Sequence, residues 1–159
     1  MLIKLEQFSR VPDATLPFSF RVPSPAEEVP GELEMDGKVR SGEGYYRVSG
    51  KLLLRYEAQC ARCLAPVAAS LEVPFDENFV RASQDEEDVH YHYEGLTLDL
   101  TQMAADAIAL NLPLRHLCRP DCKGLCPVCG ADRNQVDCGC ETADRLSSSD
   151  ILSQSHEEV

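Results

Sequence analysis

The chain has 159 residues, with 15 Lys plus Arg against 27 Asp plus Glu, a formal net charge of −12. That length suits one domain with appendages and a real core. The charge opposes broad contact with a nucleic-acid backbone unless the basic residues cluster. It favours basic partners instead, and ribosomal proteins are the commonest of these.

No stretch approaches the roughly eighteen apolar residues of a membrane span. The opening MLIKLEQFSR holds Glu6 and no apolar run of signal-peptide length. The expectation is a soluble cytoplasmic protein. Thiols stay reduced in that compartment, so eight cysteines point to metal rather than disulfides.

Residues 2–22 read as an extended entry, LIKLEQF and LPFSFRV, separated by a proline-marked turn. SPAEEVPGE at 24–32 is a connector by its Pro and Gly content. From Gly31 to Val80 strand follows strand. Leu52, Leu54, Tyr56 and Ala58 alternate with Lys51, Arg55, Glu57 and Gln59, with Leu53 breaking the polar side. Val67, Ala69, Leu71, Val73 and Phe75 alternate with Ala68, Ser70, Glu72 and Asp76. A period of two marks half-buried antiparallel strands. CARCLAP lies between the two runs, so the first CxxC falls at the tip of a hairpin. SQDEEDVH at 83–90 reads as a charged loop, and VHYHYEG as a short strand.

At LDLTQMAADAIALNLP the period changes. Leu100, Met103, Ala104, Ala107 and Ile108 share one face of a helix predicted over 99–112, with Asp99 as N-cap and Pro113 as its stop. The cysteine-rich segment begins directly afterwards. The tail from Glu141 is serine-rich and acidic, and too polar to fold alone.

All eight cysteines enter a spacing pattern: Cys60-x2-Cys63, Cys118-x3-Cys122, Cys126-x2-Cys129 and Cys138-x-Cys140. A structural zinc takes four thiolates in a tetrahedron, and a CxxC turn lets two sulfurs reach one ion. In CPVCG, Pro127 stiffens the turn, and Gly130 can take a positive φ that aims backbone N–H groups at sulfur. The preferred pairing makes Cys126, Cys129, Cys138 and Cys140 a local ribbon. Cys60, Cys63, Cys118 and Cys122 then clamp the C-terminal segment onto the hairpin tip. The other pairing joins Cys118, Cys122, Cys126 and Cys129, leaving Cys60 and Cys63 to face Cys138 and Cys140. A redox role for Cys60 and Cys63 competes, although redox CxxC motifs usually open a helix after a strand. An all-thiolate set leaves no open coordination position, which favours structural over catalytic metal.

His90 and His92 sit two apart beside the acidic run, and His116 lies close enough to Cys118 to replace a ligand. No G-x-S-x-G, P-loop or dinucleotide motif is present in the sequence. No acid/base constellation supports an enzyme.

CARCLAPV after a strand, a helix ending LNLPLRHLC, and CRPDCKGLCPVCGADRNQVDCGC resemble the YceD family of large ribosomal RNA subunit accumulation proteins. The resemblance runs in order from about Gly31 to Cys140. It implies a non-enzymatic role in large-subunit ribosome biogenesis, promoting accumulation of 23S ribosomal RNA. The partners it implies are a large-subunit ribosomal protein, the RNA, or a pre-ribosomal particle, with no small-molecule substrate. Some members lack the distal cysteines and keep the equivalents of Cys60 and Cys63, in keeping with a ribbon lost as a unit. Many relatives read CGxNLN where this chain has Gly130-Ala131-Asp132-Arg133-Asn134. Asn134 matches the final asparagine and its turn-forming role, while the first has no match.

The expected architecture is α+β. Residues 1–113 form a β-rich antiparallel body with one main helix. Residues 114–140 form a zinc-binding module docked on the 60–63 tip and holding two zinc ions, and 141–159 an acidic flexible tail. Arg62, Arg115, Arg119, Lys123 and Arg133 make the metal end the less acidic one, suited to RNA. Asp85, Glu86, Glu87, Asp88 and the tail suit a basic protein. Three classes remain open: an assembly factor, a direct RNA-binding zinc module, and a thiol redox protein.

Overall fold

A computed structural model describes residues 1–6, 8, 14–82 and 91–140. The acidic run 85–88, His90 and the tail 141–159 lie outside them.

The alternating stretches form long strands. β1 spans Leu2–Lys4, β2 Thr15–Pro23, β3 Gly31–Ser41, β4 Tyr45–Gln59, β5 Pro66–Arg81, β6 Tyr91–Tyr93 and β7 Thr97–Asp99, and the helix α1 spans Thr101–Asn111. β2 to β6 build one sheet in sequence order, while β1 and β7 pair as a separate ribbon. β2 through β5 are antiparallel neighbours. The edge strand β2 tolerates Pro17 and Pro23, because an edge leaves N–H positions unpaired.

The antiparallel expectation needs one correction: β6 runs parallel to β5, Phe79 opposite Tyr91. Three residues carry too little alternation to fix a strand's direction. Tyr91 is held by its side chain, stacking on Phe79 at 5.4 Å and donating its hydroxyl to Asp106 of α1 at 3.1 Å.

The helix is also shorter than expected at both ends. Asp99 closes β7 instead of capping α1, and its Oδ1 accepts from the Thr101 N–H at 2.9 Å and hydroxyl at 2.6 Å. Leu98 and Leu100 are both fully buried, which keeps this stretch in the core as the chain turns from strand to helix. At the other end Leu112 is extended, with ψ 127°, because Pro113 excludes the helical conformation from the residue before it.

One sheet face is the core. Leu33, Met35, Val39, Val48, Leu52, Leu54 and Phe79 are almost fully buried on it. Met103, Ala104 and Ile108 of α1 are buried in the same cluster, as the helical periodicity anticipates, together with Leu5, Leu98 and Leu100. Across four strands a row reads Phe18, Gly37, Gly50, Phe75. The two rings stack at 6.5 Å over the glycines, and a Cβ on Gly50 would meet the Asp36 carbonyl at 2.2 Å. The opposite face is polar and carries cross-strand ion pairs. Glu34 takes Arg21 at 2.8 Å and Arg55 at 3.0 Å, and Lys51 meets Glu72 at 3.2 Å. Water and salt screen such surface pairs, so they contribute little to stability.

The longest hairpin sets the place of the first cysteine pair. β4 and β5 pair from Tyr45–Val80 to Gln59–Pro66, and the connection beyond Gln59 is CARCLA. The CxxC therefore sits at the tip of a rigid two-strand arm, on the side of the sheet where the chain returns after α1.

Candidate metal centre

The tip of the arm is a tight knuckle. The Leu64 N–H donates to the Cys60 carbonyl at 2.9 Å, and the Cys60 N–H donates to Ala65 O at 2.8 Å. The second knuckle repeats it: Gly130 N–H to Cys126 O at 2.9 Å, and Cys126 N–H to Ala131 O at 2.8 Å. Both place the residue after the second cysteine in the left-handed region, Leu64 at φ 61° and Gly130 at φ 74°. The sequence anticipates this for Gly130. It gives no such signal for Leu64, whose equivalent position is visible only when CARCL is laid over CPVCG.

After α1 the chain returns along the arm. Cys60 and His116 form a parallel bridge, and Ala61 N–H donates to His116 O at 2.8 Å. His116 is not a ligand candidate after all. Its Nε2 lies 2.7 Å from the Tyr56 hydroxyl and its ring packs edge-on against Tyr56. It anchors the strap that carries Cys118 and Cys122. Arg62 ties the strap from the other side, donating to Cys122 O at 2.8 Å, while its own carbonyl accepts from Leu125 N–H at 3.0 Å. Gly124 fits there because it is at φ 74° and because a Cβ would lie 2.9 Å from the Arg62 carbonyl.

These contacts gather the eight sulfurs into two groups, Cys60, Cys63, Cys118, Cys122 and Cys126, Cys129, Cys138, Cys140. This is the preferred grouping of the spacing argument rather than its alternative. Within each group the sulfurs lie within 4.8 Å of one another. Cys60 approaches Cys122 at 3.8 Å and Cys63 approaches Cys118 at 3.6 Å. A zinc with sulfurs at about 2.3 Å in a regular tetrahedron has sulfur–sulfur edges of about 3.8 Å, so the donor set fits the ion. All eight thiols are free, and the two proximal sulfur contacts are far longer than the roughly 2.0 Å of a disulfide.

Ionisation is distributed unevenly. Backbone N–H groups of Cys118, Arg62 and Cys63 bring the Cys60 thiol down to about 6. Those of Cys129 and Val128 bring Cys126 down to about 6. Burial and the neighbouring sulfurs push Cys118 up to about 12. Hydrogen bonds with Cys129 and Cys138 push Cys140 up to about 12. Four adjacent thiolates repel, so some keep their protons until a cation takes their place. At Cys122 burial opposes ionisation, but the Asn134 amide and the Gly124 N–H outweigh it and hold the thiol below its ordinary value.

Of the other residues singled out in the sequence, His92 lies on β6 and is in neither tetrad. Arg115, Arg119, Lys123 and Arg133 are exposed around the cysteines. Asn134 is the residue the sequence understates. It is read there as a turn former, yet its side chain reaches Cys122 of the other tetrad.

A family model described as large ribosomal RNA subunit accumulation protein YceD matches residues 48–151, which include all eight cysteines. The chain belongs to the YceD family. An uncharacterized protein of Mycobacterium tuberculosis is 33% identical over 143 residues, 82% of this chain and 69% of the relative. An uncharacterized protein of Mycobacterium leprae is 31% identical over 104 residues, 62% of this chain and 48% of its own length. A maize protein described as large ribosomal RNA subunit accumulation protein YCED homolog 1, chloroplastic, is 35% identical over 54 residues, 33% of this chain and 18% of that one. No solved structure matches the chain. The YceD description names an accumulation role and no reaction. Among the described residues no helix is long and apolar enough to cross a membrane.

Proposed function

We propose that this YceD protein is a non-enzymatic cytoplasmic factor in large-subunit ribosome biogenesis, promoting accumulation of 23S ribosomal RNA. Its residues 114–140 are a two-zinc module docked on the 60–63 tip, and all eight cysteines are ligands. The observation that carries the reading is the pair of all-cysteine tetrads in a chain of a family named for large ribosomal RNA accumulation. Four thiolates close a site against water and substrate, so the ions shape a surface and leave chemistry to others. Zinc would fix the strap against the arm. Cys60 and Cys63 also make short sulfur contacts with Cys122 and Cys118, which supports shared ligation over a redox pair.

A second reading has its own support. Arg115, Lys123 and Arg133 are exposed on the module, which suits direct contact with ribosomal RNA in a chain otherwise acidic. A large-subunit ribosomal protein is the partner favoured by the overall charge.

Elemental analysis of chelator-free protein tests the metal, with two zinc ions per chain expected; one or none would defeat the two-site reading. A pull-down at native salt, identifying protein and RNA together, tests the role. Recovery of large-subunit components supports it, and their absence from the bound fraction counts against it. Steep salt dependence with naked RNA would favour the second reading.

A further inference from the structure

We propose that the two tetrads load metal as a coupled pair, with Asn134 carrying the coupling between them. The proposal rests on the two-metal reading of the tetrads. Asn134 belongs by sequence to the distal tetrad, in the loop between Cys129 and Cys138, yet its side chain is committed to the proximal one. Nδ2 donates to Cys122 Sγ at 3.4 Å. Oδ1 accepts from the Lys123 N–H at 2.8 Å and from Arg119 Nη2 at 2.7 Å.

The orientation of the amide is dictated by its partners. A backbone N–H and a guanidinium only donate, so the oxygen must face Lys123 and Arg119. The nitrogen then faces two acceptors, the Cys122 sulfur and Asp132 Oδ1 at 2.7 Å. Asp132 also accepts the Asn134 backbone N–H at 2.9 Å, which fixes the turn that presents the side chain. The same loop lies against the linker between the tetrads, with Arg133 N–H donating to Gly124 O at 3.0 Å.

These contacts couple the sites in both directions. A distal ion fixes both ends of the loop at Cys129 and Cys138. The freedom Asn134 must lose to reach Cys122 is then already lost. A proximal ion would hold Cys122 Sγ, the acceptor for Nδ2, in a fixed place, which orders the distal loop before its own ion arrives. The effect is reciprocal by linkage. The amide also offsets the surplus negative charge of a divalent ion held by four thiolates, and loss of such outer partners typically costs about 10- to 100-fold in metal affinity.

The test is a cobalt(II) titration of the reduced, metal-free full chain against a competing chelator, read from thiolate–cobalt absorption. Cys138→Ser/Cys140→Ser reports the proximal site alone and Cys60→Ser/Cys63→Ser the distal site alone. The coupling factor is the two-ion affinity of the parent divided by the product of the single-site affinities. We expect a factor of about ten or more in the parent and in Gln135→Ala, falling below about threefold in Asn134→Ala. Gln135 is the control because it also bonds Asp132, at 3.2 Å through Nε2, on the other carboxylate oxygen.

Asn134→Asp covers the case in which a serine pair fails to fold. It keeps all eight cysteines and the acceptor for Lys123, but sets a carboxylate oxygen against sulfur. It should split one cobalt transition into two. Equal coupling in parent and Asn134→Ala, no coupling in the parent, or an unsplit Asn134→Asp titration overturns the proposal while leaving two metal sites standing. A parent that takes up no cobalt overturns the metal reading and the coupling with it.

Discussion

Leu64 and Gly130 occupy the same place in the two knuckles, and both are left-handed. A side chain there costs about 1–2 kcal/mol, a cost the first knuckle carries and the second avoids. Gly130→Ala should lose stability on that scale and no more, because nothing lies within 4 Å of its added Cβ. Gly124→Ala has the same φ and also a carbonyl at 2.9 Å, so it should lose measurably more. Urea unfolding of both variants at equal metal content checks the order; equal losses would mean that the Arg62 carbonyl yields. The CPVCG motif makes Gly130 legible in the sequence. Leu64 is not, because leucine carries no conformational signal of its own and only the closed knuckle reveals its φ. Asn134 is legible as a turn residue and illegible as a sulfur donor, since that bond depends on how two loops dock.

At the scale of elements, alternation over 51–59 and 67–76 was enough to locate the inner parts of β4 and β5 and the hairpin tip between them. In the three-residue strands it goes less far: the extended stretch holding β1 and the short strand β6 were legible, but β7 was not, nor the parallel direction of β6, which packing against Phe79 and Asp106 sets. The row of Phe18, Gly37, Gly50 and Phe75 shows what the pattern hides: two glycines inside strands are needed so that two rings can close over them. Gly50→Ala should cost about 1–3 kcal/mol or more by overpacking, because the obstacle is the Asp36 backbone at 2.2 Å rather than a flexible side chain. Thermal unfolding would show it, and an unchanged midpoint would mean the sheet absorbs a methyl group there. Cys63→Ser acts on a different joint, between arm and strap. Hydrogen exchange should rise along 114–122 as well as beyond, whereas Cys129→Ser should disturb mainly the residues after Cys122. Identical exchange maps for the two variants would count against separate sites.

Over the whole molecule, the apolar core and the cysteine cluster are spatially distinct. Of the tetrad residues, Cys60, Cys122 and Cys126 are buried, but none belongs to the main core cluster. Chelation should therefore release residues 114–140 while leaving the sheet folded. A retained β signal in circular dichroism, together with lost protection in the module, is the expected outcome; collapse of both would mean that the metal also sustains the body. The sequence changes from alternating strands and a helix to clustered cysteines after Pro113. The grouping of those cysteines was not, because spacing admits two pairings and only the path of the strap along the arm chooses between them.

The proximal tetrad joins residues far apart in synthesis. Cys60 and Cys122 are 62 positions apart, and β5, β6, β7 and α1 are all made in between. At about 5–20 residues per second, roughly 3–12 s pass after Cys60 is made before its last partner exists. During that interval the arm presents two thiols with half a site. An ion that closed this site would have to wait for the helix, so metal uptake there would follow the folding of the sheet and not begin it.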